Sequence, residues 1–316
     1  RRVMKGMELA SRYYGTFGPA LVSGLPYSVE SQLAFGLVGP GSECLGFDDE
    51  LSRDHDFGPG FCVWVPRDLY ASLGDELSRR YASLPREFMG ERRVDTALAG
   101  QRVGVFETES FYRTFTGLER EPQGVAEWLR IPEQLLAIVT GGEVFRDPSG
   151  RFSHIRHVYQ GFYPEEVIRK KLAANMAVMA QSGQYNLGRC LRRQDLVAAG
   201  CARTEFLCAA MASLHLLART YMPFYKWSFR SLSERAHVGG PICALVRRIA
   251  SAPVAEVSQA DVELLSGVIL RCVLALGWAT GGSDFLLDAA TSMWQGIPND
   301  YLRDRPLNEG AYSNGM

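Results

Sequence analysis

The stretch GSECLGFDDELSRDHDF, residues 41–57, decides how the rest of the chain is interpreted. Gly41-Ser42 stands at a predicted turn, and eleven residues separate this pair from Asp54. Asp56 follows two positions later and opens an apolar run that we predict as a strand. Because residues i and i+2 of a strand point to the same face, Asp54 and Asp56 would direct two carboxylates to one spot.

This arrangement of residue types is typical of a nucleotide site. Two hard oxygen ligands suit Mg²⁺ when the phosphates of a substrate complete its coordination shell. A Gly-Ser turn offers backbone N–H groups and a hydroxyl to a phosphate, where a larger side chain would block close approach. The structural alternative is an acidic surface loop before a strand, because Asp and Asn are common in ordinary turns.

Gly41, Ser42, Asp54 and Asp56 resemble the signature of nucleotidyltransferases of the DNA polymerase β type. That superfamily carries a Gly-Ser pair, a gap of similar size and Asp-x-Asp on a strand. Residues 41–59 more closely resemble the uncharacterised bacterial domain-of-unknown-function 4037 family. The segments GQYN, residues 183–186, and YMPFYKW, residues 221–227, also resemble that family, so the resemblance covers most of the chain.

The resemblance implies a Mg²⁺-dependent nucleotidyltransferase. Such an enzyme would transfer a nucleoside monophosphate from a nucleoside triphosphate, with ATP expected, to a hydroxyl of a small molecule or a protein, and would release pyrophosphate. Two Mg²⁺ ions are expected, with Asp54 and Asp56 as ligands and catalytic residues. Gly41 and Ser42 would hold the β- and γ-phosphates.

A third carboxylate usually completes the metal site of the superfamily, on a later strand. We predict Glu107 for this role, because Val103, Val105 and Glu107 share one face of the predicted strand. Glu109 is the next candidate. The 4037 family is expected to carry an acid nearer Gly104, so this chain departs from the pattern. The departure keeps a second reading open, in which the protein is a non-catalytic nucleotide-binding or partner-binding module.

Two basic residues are further candidates for binding the nucleotide. Arg53 directly precedes Asp54 and could clamp the triphosphate; the alternative, which the many nearby acids favour slightly, is a solvated Arg53 paired with those acids. Lys226 stands within a cluster of aromatic residues. Since a lysine is seldom buried without a partner, we predict that Lys226 contacts the nucleotide phosphates or the acid cluster.

Composition restricts the function classes. The 316 residues are 47% apolar and 22% charged, which is typical of a globular protein. With 34 basic and 35 acidic residues the net charge is −1, so nucleic acid and anionic membrane surfaces are not expected as partners. The seven cysteines include no C-x-x-C pair, so zinc is not indicated. With no signal peptide and no run long enough to span a bilayer, the sequence predicts a reducing cytoplasm.

The periodicity predicts an α+β fold with two domains. Residues 1–150 form a nucleotidyltransferase-like domain with a mixed sheet, and residues 151–316 form an all-helical domain for a substrate or partner. Apolar or alternating runs predict strands at 32–38, 56–65 and 102–106. Leucines four apart predict a helix over 67–82. Beyond residue 150 the pattern is helical throughout, and the further helices are predicted at 4–14, 111–116, 125–129, 133–140, 165–181, 196–220, 241–250, 257–278 and 285–294.

Overall fold

The computed structural model describes residues 4–53, 57–94 and 101–313, with the backbone but not the side chain of Arg53. The chain divides into two compact units. The first unit comprises residues 1–121 and 135–161, and the second comprises 122–134 and 162–316. The predicted boundary near residue 150 falls before a helix that belongs to the first unit. The functional domains 1–150 and 151–316 therefore stay a prediction.

The first unit contains a mixed sheet, as the sequence predicts, but with four strands instead of the predicted three, and a two-stranded ribbon. The strands of the sheet are β1, Ala34–Leu37, β2, Cys62–Val65, β5, Gly104–Glu107, and β6, Glu143–Arg146; the ribbon consists of β3, Glu87–Phe88, and β4, Glu91–Arg92. The order in the sheet is β5-β2-β1-β6. β1 is antiparallel to both of its neighbours, and β2 is parallel to β5.

Helices cover the sheet of the first unit. They are α1, Gly6–Leu21, α2, Tyr27–Glu30, α3, Ser42–Leu45, α4, Arg67–Ala82, α5, Thr108–Thr116, and α8, Arg151–Gln160, with a 3₁₀ turn over Glu50–Arg53. The apolar face of α4 packs Leu73, Leu77 and Tyr81 into a core shared with Val63 of β2 and Tyr13 of α1. The predicted bounds of α4 are confirmed, because the four-residue spacing of its apolar side chains matches the helical repeat.

The structure of the first unit differs from the predictions in several local features. Helix α1 continues to Leu21 instead of ending near residue 14, since burial of Leu21 and Gly18 outweighs the low helix propensity of glycine. Strand β6 was not predicted because four residues give little periodicity, and their pairing with β1 is long-range. The strand predicted from residue 56 begins only at Cys62.

Gly58 explains the late start of β2. Its φ of +143° lies outside the strand region, and a Cβ at Gly58 would lie 2.5 Å from the Cα of Arg93. In the described part of this stretch, residues 57–61 are not in a strand. The prediction that Asp54 and Asp56 share one face assumed a strand running from residue 56 to residue 65. Residues 57–61 do not form that strand, so they give this prediction no support. Those two residues themselves lie outside the described part of the chain.

The second unit is helical, and residues 162–313 contain no strand, which confirms that part of the prediction for the described residues. Its helices are α6, Val125–Arg130, α9, Glu165–Met179, α10, Gly188–Arg192, α11, Leu196–Leu217, α12, Tyr225–Glu234, α13, Gly240–Ser251, α14, Gln259–Ala275, α15, Leu286–Gln295, and α16, Asp300–Arg303; a π-helix covers Ala180–Leu187 and a 3₁₀ turn covers Val254–Glu256. Helix α7, Glu133–Thr140, spans the division between the units, with the predicted bounds.

Helix α11 is the core helix of the second unit. It packs against α9 and the π-helix, and buries Phe206, Ala210 and Leu216 among other side chains. By length and composition alone, it is the one helix among the described residues that could cross a membrane. A buried core helix passes the same test, so this feature is weak evidence for a membrane span.

Candidate functional site

A cavity of about 360 Å³ lies in the first unit, within the size range of small-molecule sites. Its walls include Gly6 at the start of α1, Tyr81 in the last turn of α4, and Phe57, which directly follows residues 54–56. The charged side chains among its described lining residues are Glu43, Arg86, Arg93 and Arg102. The cavity therefore borders the stretch that the sequence marks as functional, and the charged residues of its described lining are predominantly cationic.

Sheet topology brings the parts of this region together. In the pairing register, Gly36 of β1 lies opposite Cys62 of β2, and Cys62 lies opposite Gly104 of β5. Because β1 is antiparallel to β2 and β2 is parallel to β5, the chain after β1 and the chain before β2 and β5 meet at one edge of the sheet. Gly41 follows β1 and Arg102 precedes β5, so both belong to this edge.

Gly41 opens the predicted turn. It is the N-cap residue of α3, and its carbonyl accepts a hydrogen bond from the Cys44 N–H at 3.0 Å. A Cβ at Gly41 would collide with the guanidinium of Arg102 and the carboxylate of Glu43. The glycine thus leaves room for an ion pair beside its Cα, a feature that the sequence did not reveal, and any larger residue would require these two side chains to move.

That ion pair joins Arg102 and Glu43 beside the turn. The Arg102 Nη2 donates a hydrogen bond to Glu43 Oε1, and the two side chains are only 18% and 13% exposed. Sequence reasoning assigned neither residue to the site. The available signal was an acid directly after Gly-Ser and an arginine at the start of the predicted third strand.

Two buried thiols lie near this pair. Cys62 Sγ contacts the Arg102 carbonyl at 3.4 Å, and Cys44 Sγ contacts the Leu37 carbonyl at 3.8 Å. Burial raises the pKa of Cys62 to about 12 and the pKa of Cys44 well above its ordinary value. Both side chains are therefore neutral thiols at physiological pH and act as small apolar residues. All seven cysteines of the chain are free.

Glu107, the predicted third acid, ends strand β5. Its Oε1 accepts hydrogen bonds from Arg67 Nε at 2.8 Å and from Ser110 Oγ at 3.0 Å. It lines a second cavity of about 260 Å³ together with Pro40 and Arg102. The distance from Glu107 to Asp54 and Asp56 involves residues outside the described part of the chain, so its metal role stays a prediction.

Arg67 joins Glu107 to a wider network of charges. Its two Nη atoms donate to Glu119 at 2.7 and 2.8 Å, and these hydrogen bonds lower the pKa of Glu119. Glu109, the alternative third acid, accepts from the Arg67 backbone N–H at 3.0 Å and so caps the start of α4. Both candidate acids therefore have a structural partner in Arg67.

The remaining predicted residues are placed as follows. Ser42 is the first residue of α3, and Arg53 ends the 3₁₀ turn. Lys226 lies exposed in the first turn of α12, with its Nζ 5.1 Å from the ring centroid of Trp227. The prediction assumed that Lys226 is buried and therefore needs a partner, and its exposure shows that this assumption is wrong. Its proposed contact with nucleotide phosphates stays a prediction.

Other acids of the stretch serve local structure. The buried carboxylate of Asp48 accepts the Gly6 N–H at 2.8 Å and lies 3.6 Å from Lys5 Nζ. Asp49 Oδ1 accepts the backbone N–H groups of Leu51 and Ser52 at 3.0 and 3.2 Å. These contacts fix the start of α1 and the 3₁₀ turn. Among the described residues, no three His, Cys, Asp or Glu side chains are grouped as for a metal ion.

A separate group of charges is buried in the second unit. Lys170 of α9 is fully buried, and its Nζ donates to the carbonyls of Pro306, Leu307 and Glu309 at 2.7–3.1 Å. Lys171 is also buried, with its Nζ 4.9 Å from the Tyr163 ring centroid. Burial lowers the pKa of both lysines, that of Lys170 to about 8.

Glu133 belongs to the same group. Its side chain is 3% exposed, and its Oε2 has no hydrogen-bond partner among the described residues. Burial raises its pKa to about 7, while the nearby Lys171 acts in the opposite direction. Sequence reasoning missed this group. The available signal was a pair of lysines in the middle of a helix otherwise rich in apolar residues.

The two family-like segments of the second unit have structural roles. A Cβ at Gly183 would collide with the Phe206 ring, so glycine allows the π-helix to approach α11. Gln184 Oε1 accepts the Leu286 N–H at 2.9 Å, and Gln184 Nε2 donates to Glu263 at 2.7 Å. Tyr221 is buried against Phe162, with ring centroids 4.5 Å apart.

Comparison with known proteins gives one match. Residues 128–228 match the family described as Domain of unknown function (DUF4037), and this confirms the resemblance to that family over those residues. The matched range includes Lys170, Lys171 and both segments just described. No curated protein and no solved structure matches the chain.

Proposed function

We propose that the protein is a Mg²⁺-dependent nucleotidyltransferase with a nucleotidyltransferase-like first domain, a helical second domain and a cytoplasmic location. It would transfer a nucleoside monophosphate from a nucleoside triphosphate, with ATP as the expected donor, to a hydroxyl of a small molecule or protein. The observation that carries the proposal is the shared sheet edge. There, Glu43, which directly follows the Gly41-Ser42 turn, and the chain leading into β2 line a cavity that also contains three arginines.

The charges of the cavity support an anionic ligand. Among its described charged residues, three are arginines and one is the carboxylate of Glu43, which Arg102 neutralises. Guanidinium groups bind phosphate oxygens with paired, directional hydrogen bonds. Dissolved salt also screens such interactions less in a partly buried site than in open solvent. A polyphosphate chain therefore suits this cavity better than an apolar ligand.

Asp54 and Asp56 supply hard oxygen donors of the kind that Mg²⁺ prefers, with Glu107 as the predicted third. When bound, Mg²⁺ would neutralise charge on the triphosphate and favour ionisation of the attacking hydroxyl. The acceptor oxygen forms a bond to the α-phosphorus, the bond from that phosphorus to the bridging oxygen of the β-phosphate breaks, and pyrophosphate leaves. A carboxylate of the site takes the hydroxyl proton.

A second function, nucleotide or partner binding without catalysis, is favoured by one observation. Glu107 is already held by Arg67 and Ser110, so recruitment of its carboxylate to a metal requires these contacts to change. In that case, Asp54 and Asp56 would bind a metal–nucleotide complex that does not react. Measurement of binding and turnover on the same sample separates the two functions.

Isothermal titration calorimetry of ATP with Mg²⁺, with Ca²⁺ and without metal tests the proposal. We expect the parent protein to bind MgATP and the Asp54→Asn/Asp56→Asn variant to lose all metal-dependent binding. A matched control is Glu8→Gln, which removes an exposed carboxylate on α1 paired only locally with Arg12. Equal binding of MgATP by the parent and the double variant would refute the site assignment.

Release of pyrophosphate in the presence of hydroxyl-bearing acceptors then tests catalysis. We expect turnover by the parent and none by the Asp54→Asn/Asp56→Asn variant. Tight binding of MgATP without pyrophosphate release, across small-molecule and protein acceptors, would favour the binding module.

A further inference from the structure

The ion pair between Arg102 and Glu43 occupies the space beside the turn that is proposed to hold phosphates. Arg102 lines both cavities of the first unit, and its guanidinium lies against the Cα of Gly41. Glu43, its partner, is the second residue of α3. The pair thus lies where a phosphate held by the backbone at Gly41 and Ser42 would need a counter-charge.

We infer that Arg102 is a phosphate-binding residue, and that a bound polyphosphate replaces the Glu43 carboxylate as its partner. The identity of the polyphosphate as a nucleoside triphosphate rests on the proposed function, whereas the exchange itself requires only an anion in the cavity. In the structure described, Glu43 therefore acts as an internal competitor for the ligand. Until a phosphate binds, the Glu43 carboxylate keeps the guanidinium in place and compensates its positive charge.

Chemistry makes the exchange possible. A carboxylate and a phosphate present similar pairs of oxygens to the planar guanidinium, and both form charge-assisted hydrogen bonds with it. A polyphosphate carries more negative charge than one carboxylate, and Arg86 and Arg93 line the same cavity. The absence of a Cβ at Gly41 leaves the backbone open to the same oxygens.

Backbone geometry fixes Arg102 at this place. Gly104, two residues later, pairs with Cys62, and its N–H donates to the Phe61 carbonyl at 3.0 Å. The positive φ of Gly104, +119°, turns the chain at the first residue of β5. The guanidinium can therefore exchange partners by a change of side-chain rotamer, without movement of the sheet.

The exchange predicts that substitutions of Glu43 and of Arg102 change the affinity for polyphosphate in opposite directions. Glu43→Gln removes the competing charge while keeping the shape, so polyphosphate should bind about 3- to 10-fold more tightly. Arg102→Gln should weaken binding about 10- to 100-fold. Arg102→Lys should weaken it less, because lysine keeps the positive charge but cannot donate two parallel hydrogen bonds to a phosphate as the planar guanidinium does. If the pair were purely structural, both changes would weaken binding through loss of local order.

The experiment uses two probes, inorganic tripolyphosphate without metal and MgATP, in isothermal titration calorimetry with the full chain. Thermal melting of each variant verifies folding. The Glu43→Gln/Arg102→Gln double variant removes both charges of this ion pair, should fold where Arg102→Gln fails, and should bind as weakly as Arg102→Gln. Glu8→Gln and Arg12→Lys, which alter an exposed ion pair on α1, are the matched controls and should leave both affinities unchanged.

The outcomes separate this inference from the proposed function. Tripolyphosphate binding that responds oppositely to the two substitutions supports the exchange, even if no MgATP binds and the proposed function fails. MgATP binding that depends on Asp54 and Asp56 but is unchanged in Arg102→Gln overturns the inference and leaves the proposed function standing. No binding of tripolyphosphate by the parent, or weakening by both single substitutions, also overturns the inference.

Discussion

Two groups of buried charges, one in each unit, are satisfied in different ways. In the first unit, Arg102 and Glu43 neutralise each other at the wall of a cavity, and each keeps some exposure. In the second unit, Lys170 is enclosed entirely and satisfied by three backbone carbonyls, and Glu133 has an oxygen with no hydrogen-bond partner in the described part of the chain. A paired charge beside a cavity can exchange its partner for a ligand. An enclosed charge can do so only if the protein opens.

This difference predicts that substitutions in the enclosed group of the second unit chiefly change stability, and substitutions in the Arg102–Glu43 pair chiefly change binding. The largest expected effect belongs to Lys170→Met. Methionine fills the space of the lysine stem but leaves the carbonyls of Pro306, Leu307 and Glu309 without their donor. We expect the free energy of unfolding to fall by about 3 kcal/mol, because each buried carbonyl left unpaired costs about 1–3 kcal/mol and partial relaxation recovers some of the loss.

Urea denaturation measures this change, and limited proteolysis shows whether the segment around residues 306–309 is released. Lys226→Met is the matched control, since Lys226 is exposed and contacts a ring only. If Lys170→Met and Lys226→Met have the same stability, the three hydrogen bonds of Lys170 contribute little, and the contrast between enclosed and paired charges is wrong.

The next effect is a dependence of stability on pH that comes from Glu133. Its folded pKa of about 7 lies above its unfolded value, so the folded state binds the proton more strongly. Stability from this group is full below pH 4.5 and is lost as pH rises to about 7. Relative to Glu133→Gln, the parent should lose about 3 kcal/mol over this range, since one pKa unit corresponds to about 1.4 kcal/mol.

The comparison with Glu133→Gln is needed because His215 acts in the opposite direction. Burial lowers the pKa of His215 to about 4, and its ring nitrogens contact the Met211 carbonyl at 2.7 Å and Ser231 Oγ at 3.1 Å. Its contribution is lost as pH falls from about 6.5 to about 4. The parent alone can therefore show a flat profile. Identical pH profiles for the parent and Glu133→Gln would contradict the prediction for Glu133.

Periodicity predicted those elements that local packing determines. Helices α4 and α7 have the predicted bounds, because the spacing of their apolar side chains is a property of near neighbours in the chain. Strand β6 was not predicted, since Glu143–Arg146 becomes a strand only by pairing with β1. The late start of β2 depends on the Arg92–Arg93 backbone crossing Gly58, which is equally non-local.

The same limit applies to the candidate site. The motif predicted that the region of Gly41 matters, but it could not show that Arg102, which is far away in sequence, lies against this glycine. Likewise, Glu107 has the predicted strand position, while its pairing with Arg67 depends on how α4 begins beside β5. Residue type and spacing predict which chemistry is available, whereas partners are fixed by tertiary packing.

The smallest expected effect concerns Asp48, an acid of the same stretch that is buried but does not line either described cavity. Asp48→Asn keeps an acceptor for the Gly6 N–H but removes a charge from the start of α1 and from Lys5. We expect a loss of about 0.5 kcal/mol in the free energy of unfolding, the usual size of a charge–helix interaction. Asp48→Ala also removes the acceptor and should cost about 1 kcal/mol.

Both variants should bind tripolyphosphate and MgATP like the parent, because the contacts of Asp48 hold the α1 terminus and not the ligand. Loss of Mg²⁺-dependent ATP binding in a folded Asp48→Asn variant would instead make Asp48 part of the metal site, and would erase the distinction between structural and ligand-binding acids in this stretch.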